Sequence, residues 1–250
     1  MNSLLSIKDL HVSFGLGSET VDAVRGINLE IERGEIVGIV GESGSGKSAS
    51  MLSVMRLLAT TATTRGTVQF DGKELFSASS KEMREIRGGK IGMIFQDPMT
   101  SLNPSFRIGS QITEVIIRHQ HVSTKNAVAK ATDLLEVVSI PRPSESMSLF
   151  PHEMSGGMKQ RVMIAMAIAN DPELLIADEP TTALDVTIQA QILEVLKGLR
   201  ETRKLSIVII THDLGVVAGL ADSVNVMYAG EIIESGDVEG VFYYSTHPYS

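Results

Sequence analysis

Residues 41–48 read Gly-Glu-Ser-Gly-Ser-Gly-Lys-Ser, and their chemistry follows from the side chains they carry and lack. Glycine at 41, 44 and 46 removes the Cβ that would keep the backbone from folding inward, so successive N–H groups can converge on one point. Converging N–H groups attract oxyanions, and the positive end of a helix opening at about residue 46 strengthens the attraction. Lys47 adds a compact charge for the β- and γ-phosphates of a nucleotide, and Ser48 a hydroxyl ligand for Mg²⁺. Gly41, Ser43, Gly44, Ser45, Gly46, Lys47, Ser48 and Ala49 are the candidate lining of this cradle.

A second group lies far down the chain. Leu174-Leu-Ile-Ala177 is a short apolar run that ends in Asp178-Glu179. A carboxylate at a strand end beside a phosphate cradle can hold Mg²⁺, directly or through water, and Asp178 suits that role. Glu179, one residue on, can accept a proton from an attacking water. An isolated Asp-Glu pair would read as a solvated turn; the cradle upstream is what gives it chemistry.

These residues need elements that bring them together. Residues 4–14 and 20–31 alternate apolar and polar side chains and predict an antiparallel hairpin. Residues 35–40 form a short apolar strand that runs into the glycine-rich turn, and a helix over about 46–59 follows. Further strands are expected at 67–70 and 90–95. From 108 to 138 the spacing is helical, with Ser123 a candidate cap and Ile112, Val115, Ile116, Leu134, Leu135 and Val138 the apolar stripes. A proline-bearing loop over 141–151 leads to a helix starting near Ser155. Then come a strand at 174–177, a helix at 186–203, a strand at 205–210, a short helix from Asp213, and closing strands at 224–228 and 231–234. Short, non-alternating apolar strands between helices indicate a parallel sheet covered on both faces, whose ligands sit at the strands' carboxyl ends.

Composition narrows the partners. The chain has 250 residues, 43% of them hydrophobic, enough to bury a sizeable core. A formal charge of −8 argues against a main role on nucleic acid. There is no cysteine, which excludes disulfides and a protein-held iron–sulfur cluster. No apolar run approaches the ~20 residues that cross a bilayer, and the first ten residues show no signal-peptide core. A cytoplasmic setting is expected.

Ser155-Gly156-Gly157, within Met-Ser-Gly-Gly-Met-Lys-Gln-Arg at 154–161, opens a helix whose N–H groups can face an anion. Lying between a phosphate cradle and an acid-ended strand, it resembles the signature of ABC-type transport ATPases, usually Leu-Ser-Gly-Gly-Gln. The rest of that family's pattern is present too. Gln96 resembles the glutamine that senses metal and water, and would join Ser48 and Asp178 around Mg²⁺. Ala183-Leu184-Asp185 resembles the family's aspartate-bearing loop, His212 its switch histidine, and Phe14 the aromatic that stacks on adenine. Met158 departs from the pattern, replacing the usual glutamine. That variant, with the run Gln-Asp-Pro-Met-Thr-Ser-Leu-Asn-Pro at 96–104 and His247-Pro-Tyr249, resembles the peptide and nickel importer branch. Members of that branch commonly continue beyond His-Pro-Tyr, often with cluster-binding cysteines; here such an extension is expected to be absent or cut away.

The resemblance implies an α/β fold of the P-loop NTPase type, one domain over 1–250. It would comprise an antiparallel β subdomain, a parallel-sheet core and a helical subdomain at about 108–151. It implies a Mg-ATP-hydrolysing subunit working as a pair, identical or related, with Ser155 to Gly157 of one copy completing the other's site. Glu179, His212 and Gln96 would be catalytic. The pair would sit on the cytoplasmic face of the membrane, held by separate permeases and served by an extracytoplasmic binding protein. The cargo would be peptide-like or nickel. Two alternatives are a soluble ABC-type ATPase acting in DNA repair or translation, and a small-molecule kinase. The first lacks visible insertions and has the wrong charge; the second leaves Ser155 to Gly157 and His212 unexplained.

Overall fold

The structure, a computed structural model, describes residues 3–17, 19–97, 101–182 and 185–249. Its contacts fall into two compact units: one runs to Met83 and resumes at Ser206, and the other is Arg84–Leu205.

In the first unit β1 (Leu5–Leu16) and β2 (Glu19–Ile31) pair antiparallel, the hairpin expected from their alternation. Val24, Ile27, Leu29 and Ile31 point into the core while Arg25, Asn28 and Glu30 face water, as a one-sided sheet requires. The other edge of β1 takes β4 (Ala62–Phe70), which pairs in turn with β5 (Lys73–Glu74), giving the order β2-β1-β4-β5. The same unit holds a second set of strands. β3 (Ile36–Val40) runs parallel to both β8 (Ser206–Thr211) and β9 (Ser223–Tyr228), and β10 (Glu231–Asp237) lies antiparallel to β9. Every residue of β3 and β8 is buried, which is why they read as continuous apolar runs.

The helix after β3 is shorter than the spacing suggests. α1 (Lys47–Val54) stops where Met55 caps it. Arg56 then turns to φ 50°, and its guanidinium donates to the carbonyls of Leu75 and Ala78. The short helix expected from Asp213 is α8 (Leu214–Ala218), capped by that aspartate, whereas α2 (Ser80–Ile86) and α9 (Val238–Tyr243) were not anticipated.

The second unit holds the parallel pair β6 (Ile91–Ile94) and β7 (Leu174–Asp178) and five helices among the described residues. α3 (Ile108–Gln120) and α4 (Thr124–Val137) pack through Ile108, Ile112, Ile116, Leu134 and Leu135, all buried. Ser123 caps α4 by accepting from the Asn126 N–H. The loop expected over 141–151 contains α5 (Pro143–Ser146) and runs into a 3-10 turn at Pro151–Glu153. α6 (Gly156–Ala167) and α7 (Val186–Arg203) complete the unit. Arg161 of α6 is buried, and its guanidinium donates to the carbonyls of Val138 and Ser139 and to Gln191 Oε1 of α7. A charge removed from water is tolerable only when its donors are so satisfied, and here that satisfaction ties three elements together.

Candidate nucleotide site

The glycine-rich turn between β3 and α1 shows why its glycines are needed. Gly41 has φ 152° and Gly46 φ 102°. A Cβ on Gly41 would stand 2.1 Å from the Met227 carbonyl oxygen, and one on Gly46 2.2 Å from that of Ala23. Both are backbone atoms that cannot yield. Gly44, at φ 83°, has open space around it, so its requirement is conformational alone. Lys47 is only 5% exposed, and its Nζ donates to the carbonyls of Gly41 and Glu42, both at 2.7 Å. The ammonium is thus anchored over the glycine-rich turn itself. Ser45 is buried beside it, and Ser48 and Ala49 are half-buried in the first turn of α1.

His212 follows the last residue of β8 and is exposed; the Asp213 carboxylate caps α8 by accepting from the Gly215 N–H at 2.8 Å. A cavity of about 220 Å³ separates His212 and Leu214 from the start of the turn, and is walled by Val40, Gly41, Glu42, Val226, Val241, Phe242 and Tyr249. Phe14 lies on β1, half-buried, opposite Val21 on one side and Ala62 on the other.

In the second unit, Asp178 ends β7 and is 5% exposed. Glu179 takes φ 47°, a left-handed conformation rarely adopted by a residue with a side chain. Its Oε2 accepts from Gln96 Nε2 and from Thr182 Oγ1, each at 2.8 Å. The Thr182 N–H also donates to the Glu179 carbonyl at 3.2 Å, closing a turn around the acid. So the structure brings together two of the expected catalytic residues, Gln96 and Glu179. Thr182, which motif reading passed over, joins them through its hydroxyl; the signal was a hydroxyl three residues beyond a strand-end acid, the spacing of a tight turn.

Ser155 caps α6, accepting from the Met158 N–H at 3.3 Å, and Ser155 and Gly156 are exposed. Gly157 is buried: a Cβ there would stand 2.7 Å from Cγ2 of Ile188 in the first turn of α7. Asp185 caps α7 by accepting from the N–H of that same Ile188 at 2.9 Å. The start of α6 and the start of α7 therefore lean on each other through a glycine chosen for its missing side chain. Ala183 and Leu184 of the aspartate-bearing loop, and residues 98–100 of the 96–104 run, lie outside the described residues.

The family model for ABC transporters matches residues 24–182. The chain belongs to the ABC transporter family. Among curated relatives of this cassette, the oligopeptide transport ATP-binding protein OppD of Bacillus subtilis is 55% identical over 99% of the chain and 70% of the relative's length. The dipeptide transport ATP-binding protein DppD of the same organism is 50% identical, over 100% of the chain and 75% of its own. Among solved structures, a dimeric ATP-binding cassette in a post-hydrolysis state, bound to ADP and Pi, superposes with a TM-score of 0.84 at 29% identity, covering 94% of this chain and 98% of that one. The chain is accordingly an ATP-hydrolysing transport cassette with an antiparallel sheet, parallel strands and helices.

Among the described residues of the cassette, no group of three or more His, Cys, Asp or Glu could hold a metal ion by itself, and no helix is long and apolar enough to cross a membrane. In the second unit the Asp178 carboxylate and the Gln96 amide oxygen are hard oxygens of the kind Mg²⁺ takes, and in the first the Ser48 hydroxyl is another.

Proposed function

We propose that this cassette powers import of oligopeptides or dipeptides through separate membrane permeases, binding Mg-ATP at the turn 41–49 and hydrolysing it with Glu179 as the base. The observation that carries the cargo class is the 55% and 50% identity, over essentially the whole chain, to the oligopeptide and dipeptide transport proteins. The anchored Lys47 and the oriented Glu179 support the chemistry.

In this reading the N–H groups of 43–49 bind the phosphates, Lys47 neutralises the β,γ oxygens, and Phe14 stacks on the base. Ser48, Asp178 and Gln96 would hold Mg²⁺ together with the triphosphate, and the ion would supply further charge neutralisation at the transferred phosphoryl group. Glu179, held by Gln96 and Thr182, orients the water and takes its proton. His212 steadies the γ-phosphate. Ser155, Gly156 and Gly157 present N–H groups to the ATP of a second copy or a related chain, with Asp185 beside that junction. The helices over 108–151 meet the permease, which holds the pair at the cytoplasmic face of the membrane; an extracytoplasmic binding protein delivers the cargo. A repair or translation ATPase is the weaker reading, since both relatives carry transport names.

The test is uptake. Cells lacking this chain should lose accumulation of a labelled dipeptide or oligopeptide, and wild type but not Glu179→Gln should restore it. Loss of nickel uptake instead would move the cargo to the metal; peptide uptake unaffected by the deletion would remove the proposal.

A further inference from the structure

The peptide unit that joins Gly41 to Glu42 is held from both ends. Its carbonyl, on Gly41, accepts from Lys47 Nζ at 2.7 Å. Its N–H, on Glu42, donates to the Tyr249 hydroxyl oxygen at 3.0 Å, across 207 positions of sequence. Tyr249 is placed for this by three further contacts. Its ring lies 4.6 Å from that of Tyr228, at the end of β9. It packs against the cluster of Val40, Val217, Val224, Val226 and Val241, and Val40 is the last residue before the turn. Its own N–H donates to His247 Nδ1 at 3.2 Å. Upstream, Thr246 is pinned to β10: its N–H and hydroxyl both donate to Glu234 Oε1, at 2.6 and 3.1 Å.

We propose that Tyr249 is a positioning residue for ATP binding, acting through the Gly41–Glu42 peptide on Lys47. The physical case is a chain of three groups in line. An N–H that donates to a hydroxyl is polarised, and its peptide's carbonyl becomes a better acceptor for the lysine on the far side. The Glu42 N–H also cannot swing toward the anion side of the turn while Tyr249 holds it. The rest of the turn is then set before the phosphates arrive, and less ordering is charged against binding. The tyrosine hydroxyl acts on the loop, and the ring's packing only delivers it there. The inference rests on the reading of 41–49 as the phosphate cradle.

The experiment compares Tyr249→Phe, Tyr249→Ala and Lys47→Ala in the full chain. A fluorescent ATP analogue gives affinity, and thermal melting without nucleotide gives stability. Phenylalanine keeps the ring, the Tyr228 contact and the cavity wall while deleting the acceptor. Tyr249→Phe should weaken ATP binding by about two- to tenfold, the range of one net hydrogen bond, at an unchanged melting point. Tyr249→Ala should weaken it as much and also lower the melting point. Wild-type affinity in Tyr249→Phe, with Lys47→Ala impaired, would overturn the role of Tyr249 and leave the cradle standing. A melting point lowered equally in the Phe and Ala variants would also overturn it, because the hydroxyl would then serve only the fold. Wild-type affinity in Lys47→Ala would instead remove the cradle reading on which the inference stands.

Discussion

Glu179 combines two features that rarely coincide: a left-handed backbone at φ 47° and a carboxylate oxygen fixed by two side-chain donors. Holding a residue with a Cβ in that region costs on the order of 1 kcal/mol, and such strain concentrates where a side chain must be aimed. Glu179→Gln keeps the shape and removes the basic oxygen, so turnover should fall by a factor of at least ~10² while ATP affinity stays near wild type. Steady-state hydrolysis and analogue titration measure the two, and hydrolysis close to wild type would take Glu179 out of the mechanism. The acid itself was readable in the sequence, since an apolar run ending in Asp-Glu has few other uses beside a phosphate cradle. Its partner Thr182 was not, because threonine near a turn is ordinary and only the folded chain brings its hydroxyl to Oε2.

Helix starts carry much of this protein's local order, and two of them can be tested. A Cβ at Gly157 would meet Ile188 Cγ2 at 2.7 Å. Gly157→Ala should therefore destabilise by about 1–3 kcal/mol, the usual cost of overpacking. Ile188→Ala in the same chain should return part of that loss, because the collision has gone; urea unfolding of the two single variants and the double variant reads the coupling. No recovery would mean the glycine is needed for something other than room for α7. α2 begins with a reciprocal pair: the Ser79 N–H donates to Glu82 Oε2 and the Glu82 N–H to Ser79 Oγ. Lys73, first, and then Ser79 hold the Glu82 carboxyl at about 2, below its ordinary 4.5. A carboxylate whose pKa is depressed by folding stabilises above its unfolded value and loses that contribution as pH falls through the folded one. Wild type should thus lose stability between pH 4.5 and about 2 more steeply than Glu82→Gln. Parallel acid titrations followed by circular dichroism would show it, and identical slopes would count against the pair. Most of the elements were legible from period and caps, Ser123 and the buried β3 and β8 among them. The early end of α1 was not, because what stops it is Arg56 reaching carbonyls at 75 and 78, a contact without a local signal.

At the scale of the molecule, ATP is expected to meet residues from two copies, and mixing tests that. Ser155→Arg puts bulk and charge where the partner's γ-phosphate would sit, while Lys47→Ala disables a copy's own cradle. Ser155 also caps α6, so Ser155→Ala serves as the control for cap loss, which costs about 1 kcal/mol. If sites are composite, one of the two sites in a mixed pair carries both lesions and the other neither, so the mixture should recover hydrolysis that neither variant has alone. No recovery, in the presence of the natural partner chains, would count against shared sites. The motifs at 41–48, 155–157 and 178–179 were legible in the sequence because their residue types are themselves the chemistry. The supports under the cradle were silent for the opposite reason. Gly41 abuts the carbonyl of Met227, Gly46 that of Ala23, and the Gly230 N–H donates to the Ser45 carbonyl. Each of these supports is main chain, indifferent to which side chain its residue bears. Position 23 should therefore accept any residue that fits its strand, whereas Met227 also lays its Cε beside Gly46, 2.8 Å from where a Cβ would stand. A P-loop transplanted into another scaffold by its eight letters alone would arrive without its footing.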